Sequence, residues 1–274
     1  MKGAIIGDIV GSIYEFHNIK TTDFPFFDLT CFCTDDTVLT VATAKALMEF
    51  PDPENAPDSA LESAFLQQYL EMGQKFPAAG YGGAFRDWLN ADFPKPYYSC
   101  GNGSAMRVSP VAHVATSLES ALRMARLSAR VTHNHPDGMA GAEATAGAVY
   151  LARQEGTTVE DIIAFVNRYY PGTDHLPSLE QLRPQYTFDH FAGTCAGTVP
   201  FAAHCLRGAD SYEQAVRQIV SLGGDTDTLA AIGGSIAEPL FGLPTQTWRS
   251  AKRYLPREFI DVVDAFYARF MGGN

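Results

Sequence analysis

Residues 223–228 read Gly-Gly-Asp-Thr-Asp-Thr, and the run from Leu229 to Leu240 that follows carries a single charged residue, Glu238. This run predicts a buried α-helix with carboxylates in its first turn, and its many small residues would let other helices approach closely. One acidic helix start is explained by capping alone, because Ser, Thr and Asp are good N-caps and acids complement the helix dipole.

A second acidic helix start lies near the other end of the chain. Residues 34–37 read Thr-Asp-Asp-Thr and precede a mostly apolar run over residues 38–48. Buried ionised carboxylates must be paired or bind metal, or else become neutral, and no Lys or Arg lies near either cluster in sequence. Oxygen ligands without His or Cys suit Mg²⁺, Mn²⁺ or Ca²⁺ rather than zinc. The two starts together predict a two-metal site.

Length and composition restrict the class of protein. The chain has 274 residues, of which 46% are hydrophobic, enough for one large domain or two ordinary ones. Its net charge of −11 argues against a general nucleic-acid-binding surface. Five cysteines, an odd number, favour a reducing compartment. The N-terminus is a poor signal peptide and no apolar run is long enough to span a membrane, so we expect a cytoplasmic protein.

Residues 3–16 allow two interpretations. A strand leading into a glycine-rich phosphate loop is one, but there is no Gly-x-Gly-x-x-Gly pattern and no acidic residue at the expected distance. The other is a helix, since the isoleucines recur at helical spacing and the glycines lie four apart on a face that another helix could approach. On that helix Asp8 and Glu15 would share one side.

The rest of the chain also reads as helical. Helices are predicted over 61–72, 119–130, 141–153, 159–169, 212–220 and 258–270, whereas residues 171–198 are expected to be loop-rich. Residues 99–104, Ser-Cys-Gly-Asn-Gly-Ser, are either a tight turn or a loop whose backbone amides cradle a phosphate. Tyr81, in a glycine-rich loop, either stacks on a base or is an ordinary surface residue. We expect one all-α domain spanning residues 1–274.

Taken together, these stretches resemble the ADP-ribosylglycohydrolase family, which contains dinitrogenase-reductase-activating glycohydrolase and the eukaryotic ADP-ribosyl-acceptor hydrolases. The resemblance covers essentially the whole chain. The stretches that carry it, in the family's order, are Gly7-Asp8 with Glu15, residues 34–37, residues 101–107, Thr132-His133 and residues 223–228. It implies a compact single-domain helical bundle with a binuclear Mg²⁺ or Mn²⁺ centre in a central cleft.

The resemblance also implies roles for individual residues. The metal ligands would be Thr34, Asp35, Asp36, Asp225, Asp227 and Thr228. Glu15 would act beside the metals and the scissile bond. The diphosphate and ribose would be bound by Ser99, Gly101, Asn102, Gly103 and Ser104, with His133 near the far side of the ligand. Tyr81 and the segment around Phe191 are candidates for the adenine or leaving-group side.

The implied activity is metal-dependent hydrolysis of the glycosidic bond at the distal ribose of an ADP-ribosylated protein or small ADP-ribose derivative. Two other classes remain open at this point. One is a non-catalytic ADP-ribose-binding or structural protein on the same scaffold. The other is a two-metal phosphoester hydrolase acting on nucleotides, because the same charges would serve phosphates. The leaving group is not predicted.

Overall fold

The two acidic helix starts lie on two buried helices against which much of the chain packs. The computed structural model describes residues 1–187 and 193–272. The α-helices described are α1 Lys2–Gly11, α2 Asp35–Met48, α3 Asp58–Lys75, α4 Gly83–Leu89, α5 Gly103–Met106, α6 Ser109–Val114, α7 Leu118–Arg130, α8 Pro136–Ala152, α9 Val159–Asn167, α10 Leu179–Leu182, α11 Cys195–His204, α12 Tyr212–Leu222, α13 Thr226–Phe241, α14 Thr245–Ala251 and α15 Arg257–Phe270. Within the described ranges no β-strand forms, which confirms the all-α prediction.

Both predicted buried helices are present. In α13 every residue from Thr226 to Ala237 is buried, and in α2 burial extends from Asp36 to Leu47 with Lys45 partly exposed. Helix α13 packs against α1, α12, α11 and α8, whereas α2 packs against α3 and α15. Each helix is therefore surrounded by others, and its acidic first turn is held inside the protein.

The first helix is shorter than the sequence predicts. Helix α1 ends at Gly11, and a 3₁₀ turn over Ser12–Tyr14 follows, so Glu15 lies beyond the helix. The Ser12 hydroxyl donates to the Ile9 carbonyl at 2.9 Å, a local bond that competes with continuation of the helix.

The prediction that residues 171–198 are loop-rich is also wrong at the C-terminal end of that range, because α11 begins at Cys195 with Thr194 as its N-cap.

Helices α1 and α13 are in backbone contact. A Cβ placed on Gly3, Gly7 or Gly11 would overlap the backbone of Gly234, Ala230 or Thr226, respectively. The predicted glycine face of α1 is thus the surface on which α13 lies. In this packing Asp8 on α1 lies next to the start of α2, and Glu15 lies near the start of α13.

In the described part of the chain, no helix is both long and apolar enough to cross a membrane.

Replacing Gly7 by Ala should lower the free energy of unfolding by about 1–3 kcal/mol, because the added methyl group overlaps the Ala230 carbonyl and the two helices must separate. Gly82→Ala is the matched control, since its Cβ meets nothing within 4 Å and its φ of −58° is ordinary. Denaturant unfolding measures both changes. Equal stabilities for the two variants would contradict the close packing of α1 on α13.

Candidate functional site

A cleft of about 460 Å³ opens where α2 and α13 begin. It brings together most of the site residues predicted from the sequence. Those that line it are Glu15, Thr34, Asp35, Asp36, Ser99, Gly101, Asn102, Gly103, His133, Asp225, Asp227 and Thr228. Residues more than 200 positions apart in the sequence thus face one cavity.

The two acidic helix starts touch directly. The Thr228 hydroxyl on α13 donates to Asp36 Oδ2 on α2 at 3.2 Å, and Thr34 Oγ1 lies 3.4 Å from the same oxygen. Glu15, Asp225 and Asp227 each contribute a carboxylate oxygen to a group in which these atoms lie within 4.8 Å of one another. Carboxylate and hydroxyl oxygens from both helix starts and from Glu15 therefore line one side of the cleft, which we call the carboxylate floor.

Several carboxylates of this floor have raised pKa values. Burial, followed by the neighbouring carboxylates, raises the pKa of Asp36 and Asp227 well above the usual value. The same causes raise the pKa of Asp35 to about 8 and that of Glu15 to about 7. Like charges crowded together in a low dielectric favour the protonated acids unless a cation compensates them.

A divalent cation fits these residues. Asp36 Oδ1 and Asp227 Oδ1 are buried, and neither has a hydrogen-bond partner among the described residues. A buried carboxylate oxygen without a partner carries a desolvation penalty that coordination to a metal would remove. The donors are carboxylates and hydroxyls, which suit Mg²⁺ or Mn²⁺.

Asp8 is a buried acid beside the site to which the sequence analysis gave no role. It is fully buried on α1, and it accepts hydrogen bonds from Thr34 N at 3.0 Å, Thr34 Oγ1 at 2.8 Å and Thr37 N at 3.1 Å, and one from the Thr37 hydroxyl. Burial raises its pKa to about 6 in spite of these bonds. Asp8 therefore fixes the acidic start of α2 from the neighbouring helix. The sequence signals for it were an acid within an apolar helix and its place in the Gly7-Asp8 stretch.

Asn102 supports the carboxylate floor in the structure. Its Nδ2 donates to Asp225 Oδ2 at 2.7 Å and to Thr198 Oγ1 at 3.1 Å. The loop around it is held by the Ser99 hydroxyl, which accepts from Gly101 N at 3.0 Å. The side-chain amide of Asn102 thus links the start of α13 to residues 99–104, which we call the glycine loop.

Two predicted binding residues do not line the cleft. Ser104 is fully buried, and its hydroxyl donates to the Gly138 carbonyl on α8 at 2.6 Å. Tyr81 is only 3% exposed and packs against Phe85, with ring centroids 5.3 Å apart. The interpretation of Tyr81 as a surface residue is wrong. The expectation for the segment around Phe191 lies outside the described residues.

His133 closes the cleft on the side of the glycine loop. It is 5% exposed, and a Cβ placed on Gly103 would lie 3.1 Å from its Nε2. Burial and the charge of Arg107 hold the pKa of His133 well below its usual value. The cleft therefore has an acidic end and an end that presents a neutral imidazole.

Comparison with known proteins finds related sequences over nearly the whole chain. The sequence model of the ADP-ribosylglycohydrolase family matches residues 1–271. Proteins named ADP-ribosylhydrolase ARH3 are similar over 92% of this chain: the mouse protein is 25% identical, with 85% of its length covered, and the human protein is 26% identical, with 87% covered. An uncharacterised protein of Archaeoglobus fulgidus is 28% identical over 94% of this chain and 91% of its own length.

A solved structure shares the fold. The structure titled "ADP-ribosylglycohydrolase-related protein complex" superposes with a TM-score of 0.67 at 22% sequence identity. The match covers 98% of this chain and 95% of that one.

Mg²⁺ or Mn²⁺ should raise the melting temperature of the protein, because a ligand at 100 times its Kd stabilises the fold by about 2.7 kcal/mol, or roughly 5–10 °C for a chain of this size. Asp227→Asn should abolish that rise. Its melting temperature in chelator should equal or exceed that of the wild type, because the amide is neutral at a buried position where the neighbouring carboxylates disfavour a charge.

Asp210→Asn, at an exposed position, removes the same charge away from the cleft and should keep the full metal-induced rise. If the Asp227 variant kept it as well, the carboxylate floor would not be the metal site.

Proposed function

Because the chain belongs to the ADP-ribosylglycohydrolase family, we propose that it hydrolyses the glycosidic bond at the distal ribose of an ADP-ribosylated substrate and releases ADP-ribose. The observation that carries this is the meeting of two acidic helix starts on the floor of a cleft whose other side is a glycine loop and His133. The substrate is an ADP-ribosylated protein or a small ADP-ribose derivative, which the names of the mouse and human relatives support.

The cofactor in this proposal is a pair of Mg²⁺ or Mn²⁺ ions. Their ligands are Thr34, Asp35, Asp36, Asp225, Asp227 and Thr228. Divalent cations held there supply Lewis-acid polarisation of substrate and solvent oxygen atoms. The unpartnered oxygens of Asp36 and Asp227 support this assignment. The charge count supports it as well, since the four positive charges of two divalent cations offset most of the charge of the carboxylates that line the cleft, which are Glu15, Asp35, Asp36, Asp225 and Asp227.

Glu15 is the catalytic residue of the proposal. It lies at the edge of the floor, half-buried, with a carboxylate oxygen within 4.8 Å of those of Asp225 and Asp227. Burial and the charges of Asp225 and Asp8 raise its pKa to about 7 in the metal-free protein. We assign its carboxylate the role of taking a proton from the attacking water. As the bond to the leaving group breaks, positive charge develops at the anomeric carbon, and the surrounding carboxylates favour it.

Binding of the rest of the substrate falls to the other side of the cleft. We assign the diphosphate and proximal ribose to Ser99, Gly101, Asn102, Gly103 and His133, all of which line it. In this proposal Ser104 and Tyr81 do not contact the substrate. Ser104 instead anchors the glycine loop to α8. Residues 1–274 act as one domain, and the five free cysteines suit a reducing compartment such as the cytoplasm.

The test of the function is release of ADP-ribose from a substrate panel of ADP-ribosylated arginine peptide, ADP-ribosylated serine peptide and O-acetyl-ADP-ribose. Release should require Mg²⁺ or Mn²⁺ and stop with chelator. Asp225→Asn should lower the rate by at least about 100-fold, since even residues behind metal ligands contribute about 10–100-fold.

Asp210→Asn should retain the wild-type rate in the same assay, because Asp210 is exposed and does not line the cleft. Wild-type turnover by Asp225→Asn would remove the carboxylate floor from the mechanism. Products that retain the glycosidic bond and are cut at phosphate would identify a phosphoester hydrolase instead.

Glu15→Gln should lower kcat by about 10²–10⁴-fold while ADP-ribose still binds, because the amide keeps the shape of the side chain but cannot accept a proton. Glu155→Gln, in an exposed turn, is the matched control and should behave as wild type. The readouts are steady-state kinetics and ADP-ribose calorimetry. An unchanged kcat would exclude Glu15 from proton transfer.

A further inference from the structure

Arg107 is a fully buried arginine that directly follows the short helix α5 of the glycine loop. Its guanidinium stacks 4.0 Å over the ring of Tyr69. Its Nη2 donates to Ser128 O at 3.2 Å and to Thr132 Oγ1 at 2.7 Å. A guanidinium has donors only and keeps its charge, so the Thr132 hydroxyl must accept in this contact.

The Thr132 hydroxyl has one further polar neighbour among the described residues. His133 Nδ1 lies 2.7 Å away, and Thr132 is fully buried. If Nδ1 carried a proton, both neighbours would donate to Thr132, and the single hydroxyl proton would be buried without an acceptor. Such an orphaned group costs about 1–3 kcal/mol. The hydroxyl therefore donates to Nδ1, which accepts.

This contact decides which ring nitrogen of His133 carries the proton. A neutral imidazole that accepts at Nδ1 is protonated at Nε2. Burial and the neighbouring Arg107 disfavour a second proton, since both lower the pKa. The Nε2 atom faces the loop, where a Cβ on Gly101 or Gly103 would lie 3.5 or 3.1 Å away, and none of the described hydrogen bonds uses it. A neutral N–H donor thus points at the glycine loop.

We propose that Arg107 and Thr132 are positioning residues that hold His133 in the Nε2–H form, as a neutral donor to a phosphate oxygen of the ADP-ribosyl group. The identity of the acceptor rests on the function proposed above, whereas the tautomer rests only on the contacts of these three residues. Because a neutral donor carries no charge, it binds an acceptor without forming an ion pair with the carboxylates at the other end of the cleft.

Long-range ¹H–¹⁵N correlation NMR on the ¹⁵N-labelled protein tests the tautomer directly, because protonated and unprotonated ring nitrogens have well-separated shifts. His133→Gln assigns the signals among the seven histidines. The wild type should show an unprotonated Nδ1 and a protonated Nε2. Thr132→Ser keeps the hydroxyl and should match it, whereas Thr132→Val, of nearly the same shape, should give signals averaged between the two tautomers. A protonated Nδ1 in the wild type would overturn the proposal.

ADP-ribose calorimetry tests the consequence for binding. Thr132→Val should weaken binding by about 3–10-fold, the usual range for one hydrogen bond, and Thr132→Ser should restore it. Thr132→Val added to His133→Gln should cause no further loss, because Thr132 acts through the imidazole. A further loss in the double variant would contradict that route.

The two proposals fail in different ways. A wild-type protein with the Nε2–H tautomer that does not bind ADP-ribose would overturn the proposed function and the assigned acceptor, while the positioning by Arg107 and Thr132 would stand. Binding of ADP-ribose with the opposite tautomer would overturn the positioning alone.

Discussion

The crowding of carboxylates at one largely enclosed site is the constraint on which this structure depends. Six acids from three regions of the chain converge there: Asp8, Glu15, Asp35, Asp36, Asp225 and Asp227. Left uncompensated, their charges would oppose folding by burial and by mutual repulsion. In our proposal divalent cations provide the compensation, so that the feature most costly to the fold is also the one that performs the chemistry.

The surrounding packing serves to hold these acids in place. Glycines on α1 let α13 approach to backbone contact, which fixes Asp8 and Glu15 relative to the start of α13. Asp8 then holds the start of α2 through four hydrogen bonds, and Asn102 orients Asp225. The carboxylates are thus positioned by neighbours that need not touch a ligand. On the far side of the cleft, in our proposal, His133 is likewise oriented by residues that need not touch a ligand, since Arg107 acts on it through Thr132.

The all-α fold and both acidic helix starts could be predicted from sequence because each is a local pattern: an apolar helical run preceded by acids. The glycine face of α1 was visible for the same reason. The contact of Asp8 with residues 34–37 and that of Arg107 with Thr132 were not, because each joins residues about 25 or more positions apart. The burial of Tyr81 was hidden by its glycine-rich loop, whose composition is typical of a surface turn.

Anomalous diffraction from crystals grown with Mn²⁺ tests the central claim most directly, because it locates the ions without assuming any activity. The account predicts two peaks on the cleft floor, each about 2.0–2.6 Å from carboxylate oxygens, with Asp36 and Asp227 among the ligands. A floor without anomalous density at Mn²⁺ concentrations that saturate any thermal shift, or peaks only at surface acids, would contradict it.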